Sequence, residues 1–182
     1  CLIIYSVFVR TKKIKGKDYA YLVENFWSEK GSRQRVKQYI GSVRKLEKVN
    51  EAEGLLDETK DYKSLARDAA KHELLKHGFS EEDGFLKKEK IVVDLFEGKV
   101  KDSAKNVALE LNEGFLCEST LNQLLNFIPQ GNNTEIGTKL ANALLEAGIK
   151  LSNEDFIKLC NKVMKEESTE EVQEEKKGEF YY

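Results

Sequence analysis

Apolar residues along this chain change their spacing near Gly41, and that change limits what each part can become. Before it, apolar and polar residues alternate in three runs, residues 4–14, 18–27 and 33–40. Successive side chains of a strand point to opposite faces, so this alternation predicts three half-buried strands. Lys15-Gly16-Lys17 supplies a tight first turn, because Gly adopts the positive φ that hairpin turns demand, and residues 28–32 supply a looser second one. The expected product is a three-stranded antiparallel meander. Counting in twos puts Tyr19, Tyr21, Val23 and Trp27 on one face of the middle strand and Ala20, Leu22 and Phe26 on the other. In the third strand the same count groups Arg33, Arg35, Lys37 and Tyr39, with Val36 and Ile40 behind them. One basic, aromatic face and one apolar face are therefore expected.

Charge is as unevenly placed as hydrophobicity. Residues 1–48 hold twelve Lys and Arg against four Asp and Glu, whereas the whole chain has a net charge of −2. A nearly neutral chain thus presents a basic head that attracts phosphate, balanced by an acidic remainder. Basic β-sheets rich in aromatics are one way to build a nucleic-acid-binding surface.

Beyond the head the pattern turns helical. Leu55, Tyr62, Leu65, Ala66, Ala69, Leu74 and Leu75 recur at helical spacing over residues 55–77, with Gly78 as a stop. Gly54 and the acidic run before it read as a linker. Residues 85–95, centred on β-branched Ile91-Val92-Val93, predict a strand; residues 97–99 predict a turn, and 99–111 a second strand. Three helices are then expected: one from Ser119 ended by Pro129-Gln130-Gly131, one over 134–147 ended by Gly148, and one from the cap Ser152-Asn153-Glu154-Asp155. Residues 166–182 contain seven Glu and two Lys and cannot bury a core, so a disordered acidic tail is expected.

Several function classes lose support at this stage. No stretch approaches the ~20 apolar residues of a membrane helix, and Leu2-Ile3-Ile4 is too short for the apolar part of an export signal, so a cytoplasmic protein without membrane contact is expected. Three cysteines without C-x-x-C spacing point to buried thiols rather than zinc. His72 and His77 lie about 140° apart around a helix and make poor co-ligands. Neither nucleotide-binding glycine motif occurs. Asp94, Asp102, Glu110 and Glu113 read as surface or capping groups, and Cys117, between Leu116 and the next helix, as core. No catalytic residue, metal site or cofactor is expected.

The strongest local motif is Tyr19-Ala20-Tyr21-Leu22-Val23-Glu24 followed by Gly31-Ser32-Arg33-Gln34-Arg35-Val36-Lys37-Gln38-Tyr39-Ile40-Gly41. It resembles the N-terminal β-meander of insertion-sequence transposases of the DDE class. It is also similar to the head of short uncharacterised archaeal proteins and, more distantly, to the arm-binding sheet of tyrosine recombinases. The resemblance covers about a quarter of the chain and implies a DNA-binding platform with Arg33, Arg35 and Lys37 as groove or phosphate contacts. It does not extend to a transposase core, which needs three separated carboxylates holding two metal ions.

The sequence therefore predicts an α+β protein: a basic three-stranded antiparallel β-meander (1–48), a helical connector (49–80), a mixed second domain ending in a helical bundle (81–165) and the acidic tail (166–182). The expected function is non-catalytic nucleic-acid binding, DNA favoured over RNA, through Lys12, Lys13, Lys15, Lys17, Arg33, Arg35, Lys37, Tyr39 and Arg44. Residues 81–165 would serve a second copy or a protein partner. The alternatives are an RNA- or ribosome-associated factor, with Tyr19, Tyr21, Trp27 and Tyr39 stacking on unpaired bases, and a protein-interaction module without nucleic acid.

Overall fold

The computed structural model describes residues 6–29, 31–51 and 54–178. Cys1, the first two residues of the expected first strand (Ile4 and Tyr5) and the last four of the expected tail lie outside them. The fold is α+β, four helices and nine strands among the described residues.

The head is the meander its alternation predicts: β1 (Ser6–Ile14), β2 (Lys17–Ser28) and β3 (Gly31–Lys45), each antiparallel to the next. Lys15 and Gly16 take φ of 49° and 79°, the paired positive values of a two-residue hairpin turn whose twist matches that of the strands. The β1 and β2 register runs unbroken from Ser6↔Asn25 to Ile14↔Lys17. That of β2 and β3 breaks twice, between Ala20↔Gly41 and Tyr21↔Tyr39 and between Leu22↔Gln38 and Val23↔Val36. Ile40 and Lys37 are the extra residues, and each bulge reverses the face on which the next residues of β3 fall.

The bulges overturn part of the expected face assignment. Val36 pairs with Val23 on the tyrosine face and is 62% exposed, while Arg33 and Arg35 pair with Phe26 and Glu24 on the opposite one. Tyr39 pairs with Tyr21 and so parts from the arginines with which the count in twos had grouped it. Ile40 is buried as expected, at 7% exposure, in a small cluster with Ala20, Ala108 and Cys117.

β3 continues past Gly41, where the alternation ends. Its residues 42–45 run parallel to residues 107–110 of β8 (Lys105–Leu111). Gly41 makes this possible: its φ is +152°, and a Cβ there would collide with the Asn106 carbonyl oxygen. The meander is thereby joined to a second antiparallel series, β4 (Ser80–Glu82), β5 (Phe85–Lys88), β6 (Ile91–Asp94), β7 (Lys99–Asp102) and β8, with β9 (Gly114–Leu116) also on β8. One nine-stranded sheet results, in the order β1-β2-β3-β8-β7-β6-β5-β4. Each of the two long strands expected over 85–95 and 99–111 is folded into a hairpin. The second turns at Ser103-Ala104, both at positive φ, a conformation the residue types do not advertise.

Helices α1 (Tyr62–Lys76), α2 (Glu118–Leu125), α3 (Asn133–Glu146) and α4 (Asn153–Gly178) pack on the second part of the sheet. Their starts follow capping chemistry: Asp61 accepts from Ser64 N, Asn132 and Glu135 form a reciprocal box, and the Ser152 hydroxyl accepts from Asp155 N. The core joins Leu65 and Leu74 of α1, Val93, Val100, Val107, Leu109 and Leu111 of the sheet, and Leu121, Leu124, Ile136, Leu140 and Leu159 of the other helices. Within it the Glu73 carboxylate accepts from Asn112 Nδ2 (2.8 Å) and Lys150 N (3.1 Å) and lies 3.1 Å from His77 Nε2, tying α1 to two loops.

α4 carries the backbone through residue 178, so 166–178 are helical where a disordered tail is expected from composition. Glu166, the first residue of that segment, accepts a hydrogen bond from Tyr62 N at the start of α1. No helix among the described residues is long and apolar enough to cross a membrane.

Candidate nucleic-acid interface

The register sorts the charges of the head by face. On one face, β1 contributes Phe8, Arg10, Lys12 and Ile14, β2 contributes Lys17, Tyr19, Tyr21, Val23, Asn25 and Trp27, and β3 contributes Ser32, Gln34, Val36 and Tyr39. Over β1, β2 and β3 up to Tyr39 this face carries three cations and no carboxylate among the described residues. Asp18 and Glu24 both fall on the other face, which also carries Lys13, Arg33, Arg35 and Lys37.

That division decides which of the sequence-predicted residues are available. Arg35 donates to Glu24 Oε2 at 2.8 Å and stacks 5.5 Å from the Phe26 ring centroid, and Lys37 reaches Glu24 Oε1 at 3.7 Å. Glu24 is 5% exposed, so its charge needs these partners, while both side chains remain exposed as they pair with it. Arg44 lies further along β3 and pairs with Asp102 at 2.6 Å. The Ser103 hydroxyl and Arg44 hold the Asp102 carboxyl below the usual carboxylate range. Arg33 is exposed on the face of Glu24, without a carboxylate partner among the described residues.

Lys12, Lys13, Lys15 and Lys17 gather at the β1–β2 hairpin, all exposed and none in an ion pair among the described residues. The first and last sit on the carboxylate-free face. Arg10 was not singled out from the sequence, yet it shares that face and donates to the Gln34 side chain two strands away. The register places buried Val23 between them. Only the hairpin register, which needs the turn position, could have placed Arg10 there.

Tyr39 stands beside Tyr21 and Tyr19, with ring centroids 5.4 and 6.3 Å away and planes tilted by 56° and 42°. Burial, then the neighbouring Tyr19 and Tyr21 hydroxyls, pushes the Tyr39 hydroxyl above its ordinary value, so it remains a neutral donor at physiological pH. Trp27 extends the same face and is 69% exposed. The arrangement is a row of aromatic rings on β2 and β3, bordered by Arg10, Lys12 and Lys17.

Outside the head, the carboxylates read from sequence as surface or capping groups have such contacts: Asp94 accepts from Phe96 N and Glu97 N, and Glu110 lies 3.6 Å from Lys45. Cys117 is buried at the start of α2 beside Thr120, and Cys160 is buried, which raises its thiol above the ordinary value. The chain matches no protein-family model, no curated protein and no solved structure.

Proposed function

We propose that this protein binds nucleic acid without catalysis, DNA in preference to RNA, through the hairpin and the carboxylate-free face of its β-meander. The observation that carries this reading is the separation of charge by face: Arg10, Lys12 and Lys17 share theirs with no acidic residue, and Lys13 and Lys15 extend the basic patch around the hairpin. Such a patch engages phosphates and releases their counterions, which gives affinity that falls steeply with salt. The resemblance of the head to the meander of DDE transposases favours DNA. Lys12, Lys13, Lys15, Lys17 and Tyr39 lead the binding candidates, with Arg33 beside them; Arg35, Lys37 and Arg44 are exposed but engaged by Glu24 and Asp102. A cytoplasmic location goes with this reading.

The test is a titration of labelled DNA at several salt concentrations. Replacing Lys12, Lys15 and Lys17 together by Gln should weaken binding and lower the salt slope by about 2 to 3. Equal affinity across salt concentrations, or an unchanged slope in the triple variant, refutes the proposal.

A second reading concerns residues 81–165 as a surface for a second copy or a protein partner. It draws on Phe96, 69% exposed next to β6 with the Arg67 guanidinium 4.7 Å from its ring centroid. Sedimentation of the wild type and of Phe96→Ser tests it.

A further inference from the structure

We infer that the DNA this face takes is single-stranded, with its bases laid on the tyrosine row and its phosphates along β1 and the hairpin; this rests on the nucleic-acid reading above. The argument begins with where the two chemistries lie. Lys12 sits on the outer strand β1 and Lys17 at the hairpin end of β2, with Arg10 starting on β1 and reaching across to Gln34, whereas Tyr21 and Tyr39 sit inward, on β2 and β3. A strand with unpaired bases has that profile, charge along one side and flat π-faces along the other. A duplex does not: its base faces are stacked inside, and its grooves present edges to a protein.

The ring geometry supports the same occupant. Tyr39 is tilted at 42° against Tyr19 and 56° against Tyr21, so its ring is not sandwiched flat between them. Tyr39 is 53% exposed in spite of two tyrosine neighbours. Neighbouring same-face positions on a strand are about 7 Å apart, roughly twice the 3.4 Å repeat of a stacked strand, so the row suits bases pulled apart rather than bases in a continuous stack. A peptide partner reading only the cations would need acidic groups and would leave the tyrosine row unexplained. Base stacking uses both.

The experiment measures binding of the full chain to three fluorescein-labelled probes at one salt concentration: a 15-nucleotide oligothymidylate, a 15-base-pair DNA duplex and a 15-nucleotide oligouridylate. Trp27 is the only tryptophan and lies on this face, so its emission gives an independent signal. The expected result is at least tenfold tighter binding of oligothymidylate than of duplex, with a change in Trp27 emission. Tyr39→Leu should lose about tenfold for the single strand and Tyr39→Phe should retain it, while far-UV circular dichroism stays that of the wild type in both. Equal or tighter duplex binding overturns the inference and leaves the nucleic-acid proposal standing. Tighter oligouridylate binding overturns the choice of DNA. Absence of binding to all three overturns both proposals. A Tyr39→Leu variant that is folded and binds like the wild type also refutes the stacking role.

Discussion

At the scale of single residues, the two bulges of β3 decide what each side chain does. Ile40 is buried against Ala20, Ala108 and Cys117, whereas Val36, read from sequence as its companion, stands on the open face. Ile40→Ala should therefore cost about 2 to 3 kcal/mol, and Val36→Ala less than about 0.5 kcal/mol; urea denaturation of the two variants checks this. Gly41 sits between these consequences. Gly41→Ala would place a methyl group against the Asn106 carbonyl at a positive φ, and backbone cannot yield as a side-chain tip can. A loss of about 2 to 3 kcal/mol is expected, with a denaturation midpoint well below that of Gly16→Ala, whose Cβ would meet open space.

Elements are where sequence and structure agree most. The three runs of the head become three strands, and the helix near 134–147 forms as Asn133–Glu146, because strong periodicity coincides there with unambiguous stops. The bulge at Lys37 carries no Gly or Pro signal and the one at Ile40 is marked only by Gly41 beside it, so counting in twos runs straight through them and assigns Val36, Arg33 and Arg35 to the wrong faces. Ser103-Ala104 is equally silent, which hides the hairpin of β7 and β8. Asp83-Gly84, by contrast, carries a turn signal in its residue types, and both take positive φ. Of the binding candidates, the hairpin lysines were readable because the turn is local; the engagement of Arg35 by Glu24 and of Arg44 by Asp102 depends on register and on strands far apart in sequence. The Arg44 pairing also predicts a pH effect. Asp102 is held below its ordinary value first by Ser103 and then by Arg44, so its contribution is complete above the unfolded carboxylate pKa of about 3.9 and is lost as pH falls through the lower folded value. Asp102→Asn should cost about 1 kcal/mol at neutral pH, and the difference from wild type should shrink below about pH 4 in denaturation series.

At the scale of the whole molecule, opposite charges sit at opposite ends of one chain. Residues 166–182 hold seven Glu and two Lys and follow the point where Glu166 ties α4 to α1. If this segment competes with nucleic acid for the hairpin, deleting residues 167–182 should tighten binding at low salt and make little difference at high salt, where charges beyond several ångströms are screened. Equal affinities of the two chains at low salt would assign the segment a role apart from binding. The parallel seam between residues 42–45 and 107–110 has a further consequence, in time rather than in space. Its partners are roughly 65 residues apart, so on a ribosome adding about 5 to 20 residues per second the meander emerges seconds before the strand it must join. During that interval residues 42–45 of β3 are an open edge, and Arg44 and Lys45 on it are the kind of charge that keeps a nascent edge from pairing with the wrong chain.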